Sequence, residues 1–425
     1  MEYDLVVEGK VVLPDSVEEA QVGINEGLIA TVKKQGLRGA RTVRAGSALV
    51  FPGFIDSHAH LREPGWEHKE DFRTGTTAAI HGGVTTVFDM PNNPVPTTSA
   101  EAVEEKMRLA SMKAVVDVRL YAGVVNENID VIKSLREHVI GFKAYLGKST
   151  GGLLVSYEEL RKALPSVAAT GRPFSLHCED QGIIERNKRR LAGSSAPDVH
   201  CDIRSPESET ECVRKAVAAA KDVPKSKINI CHASTSGTLK IVEKAAREGS
   251  DVRCEATLHH LYLNRKAMLK NGLLKTNPPL RSEEDRAALL RGLEEGRVQS
   301  LVTDHAPHTR SEKVEEGLAG VPGLDDYGHV VSWLLKSMGV SPVTIGRVCS
   351  SNPAGYFRLS DRGVITPGKR ADLTVIDLLT PERVTAERLQ TKCGWSPYEG
   401  LLFPGRARWT ICGGRILVDD SEISV

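Results

Sequence analysis

The middle of this chain alternates between two kinds of pattern. Apolar, β-branched runs recur at Val84–Phe88, Val115–Tyr121, Val139–Phe142, Pro173–Leu176, Ile228–Ile230, Val252–Cys254 and Gln299–Val302. Amphipathic helical patterns such as Ser99–Ser111 and Ser236–Glu248 lie between most of them. One more run, Ala48–Phe51, continues across Pro52-Gly53 into Phe54-Ile55 and reads as a buried strand. Eight strands joined mostly by helical crossovers predict a TIM-type (β/α)8 barrel, with functional groups at the C-terminal ends of its strands. An open doubly wound sheet is the rival, but no GxGxxG follows an early strand.

The two ends of the chain read differently. Short β-like runs occupy Tyr3–Val7, Gly9–Leu13, Gln21–Asn25, Leu28–Lys33 and Thr42–Ala45, and again Ala371–Asp377, Arg408–Cys412 and Arg415–Val418. Gly413-Gly414 between the last two is a hairpin signal. Residues 1–50 and 365–425 are therefore expected to build one small β-sandwich domain, and 51–364 the barrel. A chain of 425 residues suits that division.

Lys plus Arg number 56 and Asp plus Glu 55, without a block of like charge, so neither nucleic acid nor an anionic membrane is expected as a partner. No apolar run approaches a membrane span, and Met1-Glu2-Tyr3-Asp4 does not begin a signal peptide. Eight cysteines without CxxC read as reduced thiols, which points to a cytoplasmic enzyme.

The residues at the strand ends carry the chemistry. His58 and His60, at i and i+2, share one face if the strand stays extended, and two imidazoles so placed are half of a divalent-metal site. Two satisfied histidines at a strand end are the plainer alternative. Arg62 and the Pro64-Gly65 turn follow at once. The fourth strand ends at Lys143, the fifth at His177, the sixth at His232 and the eighth at Asp304. Five of eight strand ends then bear ligand-type side chains on one rim.

This set suits two zinc ions. His58, His60 and Asp304 would hold one, and His177 and His232 the other. A hydroxide between two such metals is a strong nucleophile at neutral pH. An anion must bridge the pair. Lys143 could supply it after reacting with CO2 to give a carbamate, or could be a plain cation paired with Asp304; the residues alone leave both open.

Taken together, HxHLREPG from His58, MPN at Met90-Pro91-Asn92, GFKAY, LHCED, CHAS, TNPPLR and TDHAPH resemble the dihydroorotases of the amidohydrolase superfamily, over about residues 50 to 330. Gly363–Asp372 in the terminal β-domain also suits that superfamily. The resemblance implies reversible cyclisation of N-carbamoyl-L-aspartate to L-dihydroorotate in pyrimidine synthesis. It implies two Zn2+ per subunit on His58, His60, His177, His232 and Asp304, bridged by Lys143 as a carbamate formed from CO2. Asp304 would also shuttle the proton. Arg62, Asn92 and His308 match positions that hold the substrate carboxylate; Asn277 and the backbone near Gly323 match those that hold the ring. Many bacterial relatives carry Asp at the Lys143 position, so the chain resembles the lysine-bridged branch.

Other signals carry less. Gly147-Lys148-Ser149-Thr150 resembles the end of a phosphate-binding loop, but Phe142 stands where that motif needs glycine. The segment better suits a mobile loop, with Ser149 or Thr150 touching substrate. His259 and His260 read as structural or supporting residues, and Cys231 as a small buried residue facing away from His232. His68, His81, His138, His200 and His329 lack convergent partners in the sequence.

Rival functions are another cyclic amidase (dihydropyrimidinase/hydantoinase or allantoinase) and a catalytically silent scaffold for aspartate transcarbamoylase. Arg62 with Asn92 speaks against the first, and the full ligand set against the second. Homo-oligomerisation and association with aspartate transcarbamoylase stay open.

Overall fold

The computed structural model describes residues 2–425. Eight parallel strands follow one another in chain order around a barrel: β1 Phe54–Ala59, β2 Val84–Asp89, β3 Asp117–Gly123, β4 Gly141–Tyr145, β5 Phe174–His177, β6 Lys227–Ile230, β7 Asp251–Thr257 and β8 Ser300–Val302. All six residues of β1 are buried, as are all of β2, β4 and β5, because the sheet is covered on both faces. The first and last strands meet. His60 N–H donates to His305 O at 2.7 Å, and Thr303 N–H donates to Asp56 Oδ1 at 3.1 Å.

The crossover helices start where the sequence offers a side-chain oxygen to the free amides of a first turn. Ser99 caps Ala100–Lys113, Ser156 caps Tyr157–Thr170, Ser205 caps Pro206–Lys221, Thr235 caps Ser236–Arg247 and Ser282 caps Glu283–Glu294. The link from β3 to β4 departs from this pattern, with only the short 3-10 turns Asn126–Val131 and Ser134–Glu137.

Both chain ends build a second eight-stranded sheet. Its order is Glu422–Ile423, Arg415–Asp419, Arg406–Cys412, Leu373–Asp377, Gly39–Pro52, Tyr3–Val12, Val17–Asn25, Leu28–Lys33. A separate apolar cluster holds it, including Val7, Val22, Val50, Val375 and Ile411. Gly413 and Gly414, at φ +53° and +76°, make the turn between Arg406–Cys412 and Arg415–Asp419, a pairing of positive φ values that matches the twist of a tight hairpin.

Three expectations need correcting. The apolar run Ala48–Ile55 is not one strand. Ala48–Pro52 ends a strand of the terminal sheet, and Phe54 begins the barrel, because Gly53 turns the chain and donates its N–H to Asp372 O at 2.7 Å. Tyr3–Val7 and Gly9–Leu13 are one strand, Tyr3–Val12, in which a bulge between Glu8 and Lys10 absorbs the glycine. β3 and β4 begin two residues later than Val115 and Val139, because those apolar residues pack in the approaches to the strands. Among the described residues, no helix is long and apolar enough to cross a membrane.

Gly53 is the pivot between the two sheets, and a Cβ there would meet the Thr85 side chain and lie 2.8 Å from Asp372 Cβ. Gly53→Ala should cost about 1–3 kcal/mol from overpacking. A thermal melt checks this; an unchanged midpoint would contradict it.

Candidate active site

The C-terminal rim of the barrel gathers six buried polar side chains. His58 lies on β1 with His60 just after it; Lys143 is on β4; His177 ends β5; His232 and Asp304 stand two residues beyond β6 and β8. His60 Nε2 is 3.1 Å and His58 Nε2 3.4 Å from Asp304 Oδ1. His177 Nδ1 faces His232 Nε2 at 2.9 Å, and the rings of His58 and His232 are centred 5.3 Å apart. Arg62, His232 and Asp304 have left-handed backbones at φ +64°, +38° and +47°. Strain of this kind costs on the order of 1–3 kcal/mol per residue and clusters at sites of function.

Oxygen atoms behind the imidazoles set their orientation. Glu255 on β7 bonds His58 Nδ1, and its other oxygen accepts from Asn229 Nδ2 at 2.9 Å. Asn92 Oδ1 is 2.7 Å from His60 Nδ1. Glu179 Oε2 is 3.0 Å from His177 Nε2 and is itself paired with Arg204. With Nδ1 of His58 and of His60 so engaged, Nε2 of each ring faces Asp304, as in metal sites where a carboxylate or carbonyl fixes the histidine tautomer.

The electrostatics suit a cation. Burial takes His60 down to about 3, and burial also lowers His177 and His232, so these rings are neutral lone-pair donors. Burial and Lys143 push His58 down, but Glu255 and Asp304 outweigh them and raise it to about 10. A cation held by His58 would take the place of that proton. Burial would raise Asp304, yet His58, His60 and His232 hold it well below the usual carboxylate range. The ligand atoms of His58, His232 and Asp304 lie within 4.8 Å of one another. His232 Nδ1 has no hydrogen-bond partner.

Lys143 is fully buried and makes no salt bridge among the described residues; its hydrogen-bond partner is Cys231 Sγ at 2.8 Å. The alternative reading of Lys143, a cation paired with Asp304, is therefore not what the structure has. The placement of Cys231 on the far side of its strand is also corrected. β6 ends at Ile230 and the backbone turns left-handed at His232, so the alternation of faces stops and both residues face inward.

Arg62, Asn92, Tyr145, Ser149, Thr150, Asn277, Ala319 and Gly320 complete the cavity above these groups. Burial brings Arg62 down to about 10, so it stays cationic at neutral pH; its Nε–H donates to Pro307 O at 3.0 Å. His308 stands behind Arg62 rather than at the cavity wall, with Nε2 3.3 Å from Nη2. Burial, then Arg62, Lys69 and Lys313, keep His308 neutral. Asn92 Nδ2 donates to Thr150 O at 2.9 Å, so Asn92 braces both His60 and the Ser149-Thr150 loop. Gly323 is not brought to the cavity; its N–H donates to His305 Nδ1 at 3.1 Å, and Ala319-Gly320 forms the wall instead.

Sequence reasoning gave no role to Glu255, Glu179 or Arg204, and it set His200 aside as lacking a convergent partner. Glu255 carried a signal: a carboxylate near the C-terminal end of the seventh barrel strand is buried and needs a partner there. His200 comes from a helix far along the chain, and its Nε2 is 3.0 Å from Asn277 Oδ1. His259 and His260 are buried beside the site, with His260 Nε2 3.2 Å from Pro278 O.

Comparison with known proteins places the chain among amidohydrolases. Residues 49–417 match the Amidohydrolase family. Dihydroorotase from Thermococcus kodakarensis is 32% identical over 428 residues, spanning 99% of this chain and 96% of the relative. Dihydroorotase from Pyrococcus horikoshii is 34% identical over 430 residues, spanning 99% and 94%. Among solved structures, L-hydantoinase (dihydropyrimidinase) from Arthrobacter aurescens superposes with a TM-score of 0.96 at 26% identity, covering 100% of this chain and 98% of that one. Dihydropyrimidinase from Brevibacillus agri NCHU1002 gives 0.90 at 22% identity, covering 98% and 95%, a likeness of fold.

Glu255→Gln removes the charge behind His58 while keeping its shape. Divalent-metal affinity should fall roughly 10–100-fold, read as metal per chain after dialysis against graded chelator. Wild-type retention would contradict the supporting role.

Proposed function

The chain belongs to the amidohydrolase family, and from that premise we propose that it is a dihydroorotase, interconverting N-carbamoyl-L-aspartate and L-dihydroorotate. One observation carries the choice of substrate. Arg62 is a buried cation on the wall of the cavity that Asp304 also lines, and a buried guanidinium without a carboxylate partner calls for one from the ligand. Among the described residues Arg62 forms no salt bridge. The fold alone does not separate this activity from the hydantoinases, since their structures superpose so closely.

The donor set fits two divalent ions. His58, His60 and Asp304 would hold one, His177 and His232 the other, and Lys143 as a carbamate would join them. A lone buried ammonium is costly, and converting it to an anion beside cations removes that cost. Zinc bound there would supply an acidified water and polarise the amide carbonyl.

The remaining work belongs to the side chains. Arg62 presents two parallel N–H groups to the substrate carboxylate and so fixes the ring at one end. Asn277 and the Ala319-Gly320 wall bound the ring on its other side. Asp304, ionised and 3.1 Å from His60 Nε2, takes the proton of the attacking water and returns it to the ring nitrogen that leaves. The Ser149-Thr150 segment, tied down through Asn92, covers the cavity against solvent.

Purified protein should carry two zinc ions per chain and remove the absorbance of dihydroorotate. Zinc near zero, or turnover of hydantoin or allantoin without dihydroorotate, would overturn the reading. Lys143→Ala should lose at least about a thousandfold in kcat/KM, of the order seen when a central catalytic group is removed; full activity would take the carbamate out of the mechanism. Arg62→Lys keeps the charge but not the fork, and should raise KM about tenfold or more for dihydroorotate, a loss of roughly one bidentate contact. Ring opening releases a proton, since a neutral imide carbonyl becomes a carboxylate. The equilibrium ratio of open to closed forms should therefore rise roughly tenfold per pH unit around neutrality, and a ratio independent of pH would mean a different reaction.

A further inference from the structure

Lys313 lies in the short helix Arg310–Glu315 and does not line the cavity, yet its side chain is buried. Its ammonium donates to Lys275 O at 2.9 Å, Leu318 O at 2.8 Å and Gly320 O at 2.8 Å. An ammonium has three N–H donors, so the three carbonyls satisfy it completely. It forms no salt bridge among the described residues, and burial, with Lys275 and Arg62 adding to it, brings it down to about 7. A buried cation caged by carbonyls alone is expensive to keep unless those carbonyls must be held in place.

The carbonyls belong to two separate stretches that meet at the cavity. Lys275 leads into Asn277, which lines it, while Leu318 and Gly320 flank Ala319, which lines it with Gly320. Gly320 N–H also donates to Lys275 O at 2.9 Å, and Lys275 Nζ donates to Gly317 O at 2.6 Å, so the two stretches are laced at several points. Gly320 has no room to move inward. At φ +136° an added Cβ would lie 2.5 Å from Ala306 O and 3.2 Å from His308 Cδ2. Lys313 therefore sets where the wall sits relative to Asn277.

We infer that Lys313 is a positioning residue, whose ammonium joins the Asn277 stretch to the Ala319-Gly320 wall and so fixes the width of the ring-binding side of the cavity. The inference rests on the proposed cyclic-amide site, with Lys313 touching no reacting atom. A loosened wall should weaken binding of the ring and leave the bond-breaking groups intact.

The test uses metal-loaded wild type, Lys313→Met and Lys313→Arg, each assayed with whichever cyclic amide the wild type hydrolyses. Lys313→Met should raise KM about tenfold or more while kcat stays within about threefold, the pattern of lost binding without lost chemistry. Metal per chain should stay at the wild-type value. Lys313→Arg, which keeps the charge but cannot place three donors on one point, should give a smaller rise in KM. Amide hydrogen exchange should quicken in residues 317–322 of Lys313→Met and stay unchanged in the barrel strands. Wild-type KM in both variants, or unchanged exchange in 317–322, would overturn the inference. So would a parallel fall of kcat, metal content and melting temperature in both, because that marks a general structural role. If the wild type opens hydantoin and not dihydroorotate, the proposed function fails, and the same variants assayed on hydantoin still decide the role of Lys313.

Discussion

Everything at this site depends on how the barrel closes. Asp56 on β1 is wholly buried, and its carboxylate accepts from Thr303 N–H, Thr303 Oγ1 and His58 N–H. Burial pushes its carboxyl up to about 6 in spite of those bonds. The latch joins the first strand to the last, and the two stretches of chain that leave it are His58–Arg62 and Asp304–His308. Residues almost 250 positions apart in sequence are thereby set 3.1 Å apart, as His60 and Asp304 are. A barrel left open at this seam would part His58 and His60 from Asp304.

The site concentrates features that a structure built only for stability would avoid. Buried imidazoles face one another, a lysine is sealed in without a carboxylate, and three functional residues hold left-handed backbones. Each is unfavourable alone. The scaffold sustains them because both faces of the sheet are covered by apolar side chains and because carboxylates stand behind His58 and His177. A cation pair would relieve much of the cost at once, by giving the inner nitrogens and Asp304 a common partner. The arginine is a separate device. On the proposed function it would select among substrates that the metal groups would treat alike.

Much of this was legible in the sequence because it rests on local pattern. Alternating apolar runs and amphipathic patterns such as Ser99–Ser111 and Ser236–Glu248 revealed the barrel, and the residues at strand ends revealed the rim. What could not be read was whatever depends on where one strand stops and another chain segment arrives. Ala48–Phe51 looked continuous with Phe54-Ile55, since hydrophobic patterning does not say which sheet a strand joins; only the close approach around Gly53 separates them. Cys231 was misplaced because alternation was extended one residue past the end of β6. Gly323 was expected at the ring, but His305 takes its amide, a contact no periodicity reveals. His200 was set aside because its partner Asn277 lies far along the chain, and Lys313 was missed because its partners Lys275, Leu318 and Gly320 are backbone carbonyls that no side-chain pattern reveals.

On the proposed function, a buried guanidinium turns a general cyclic-amide site into one that demands a carboxylate. The most direct measurement compares kcat/KM of the metal-loaded wild type for L-dihydroorotate and for dihydrouracil, the same ring without the carboxylate. A site that leaves Arg62 unpaired when the carboxylate is missing should discriminate by about a thousandfold or more, corresponding to roughly 4 kcal/mol for an uncompensated buried charge. Comparable values for the two rings, or a preference for dihydrouracil, would contradict it.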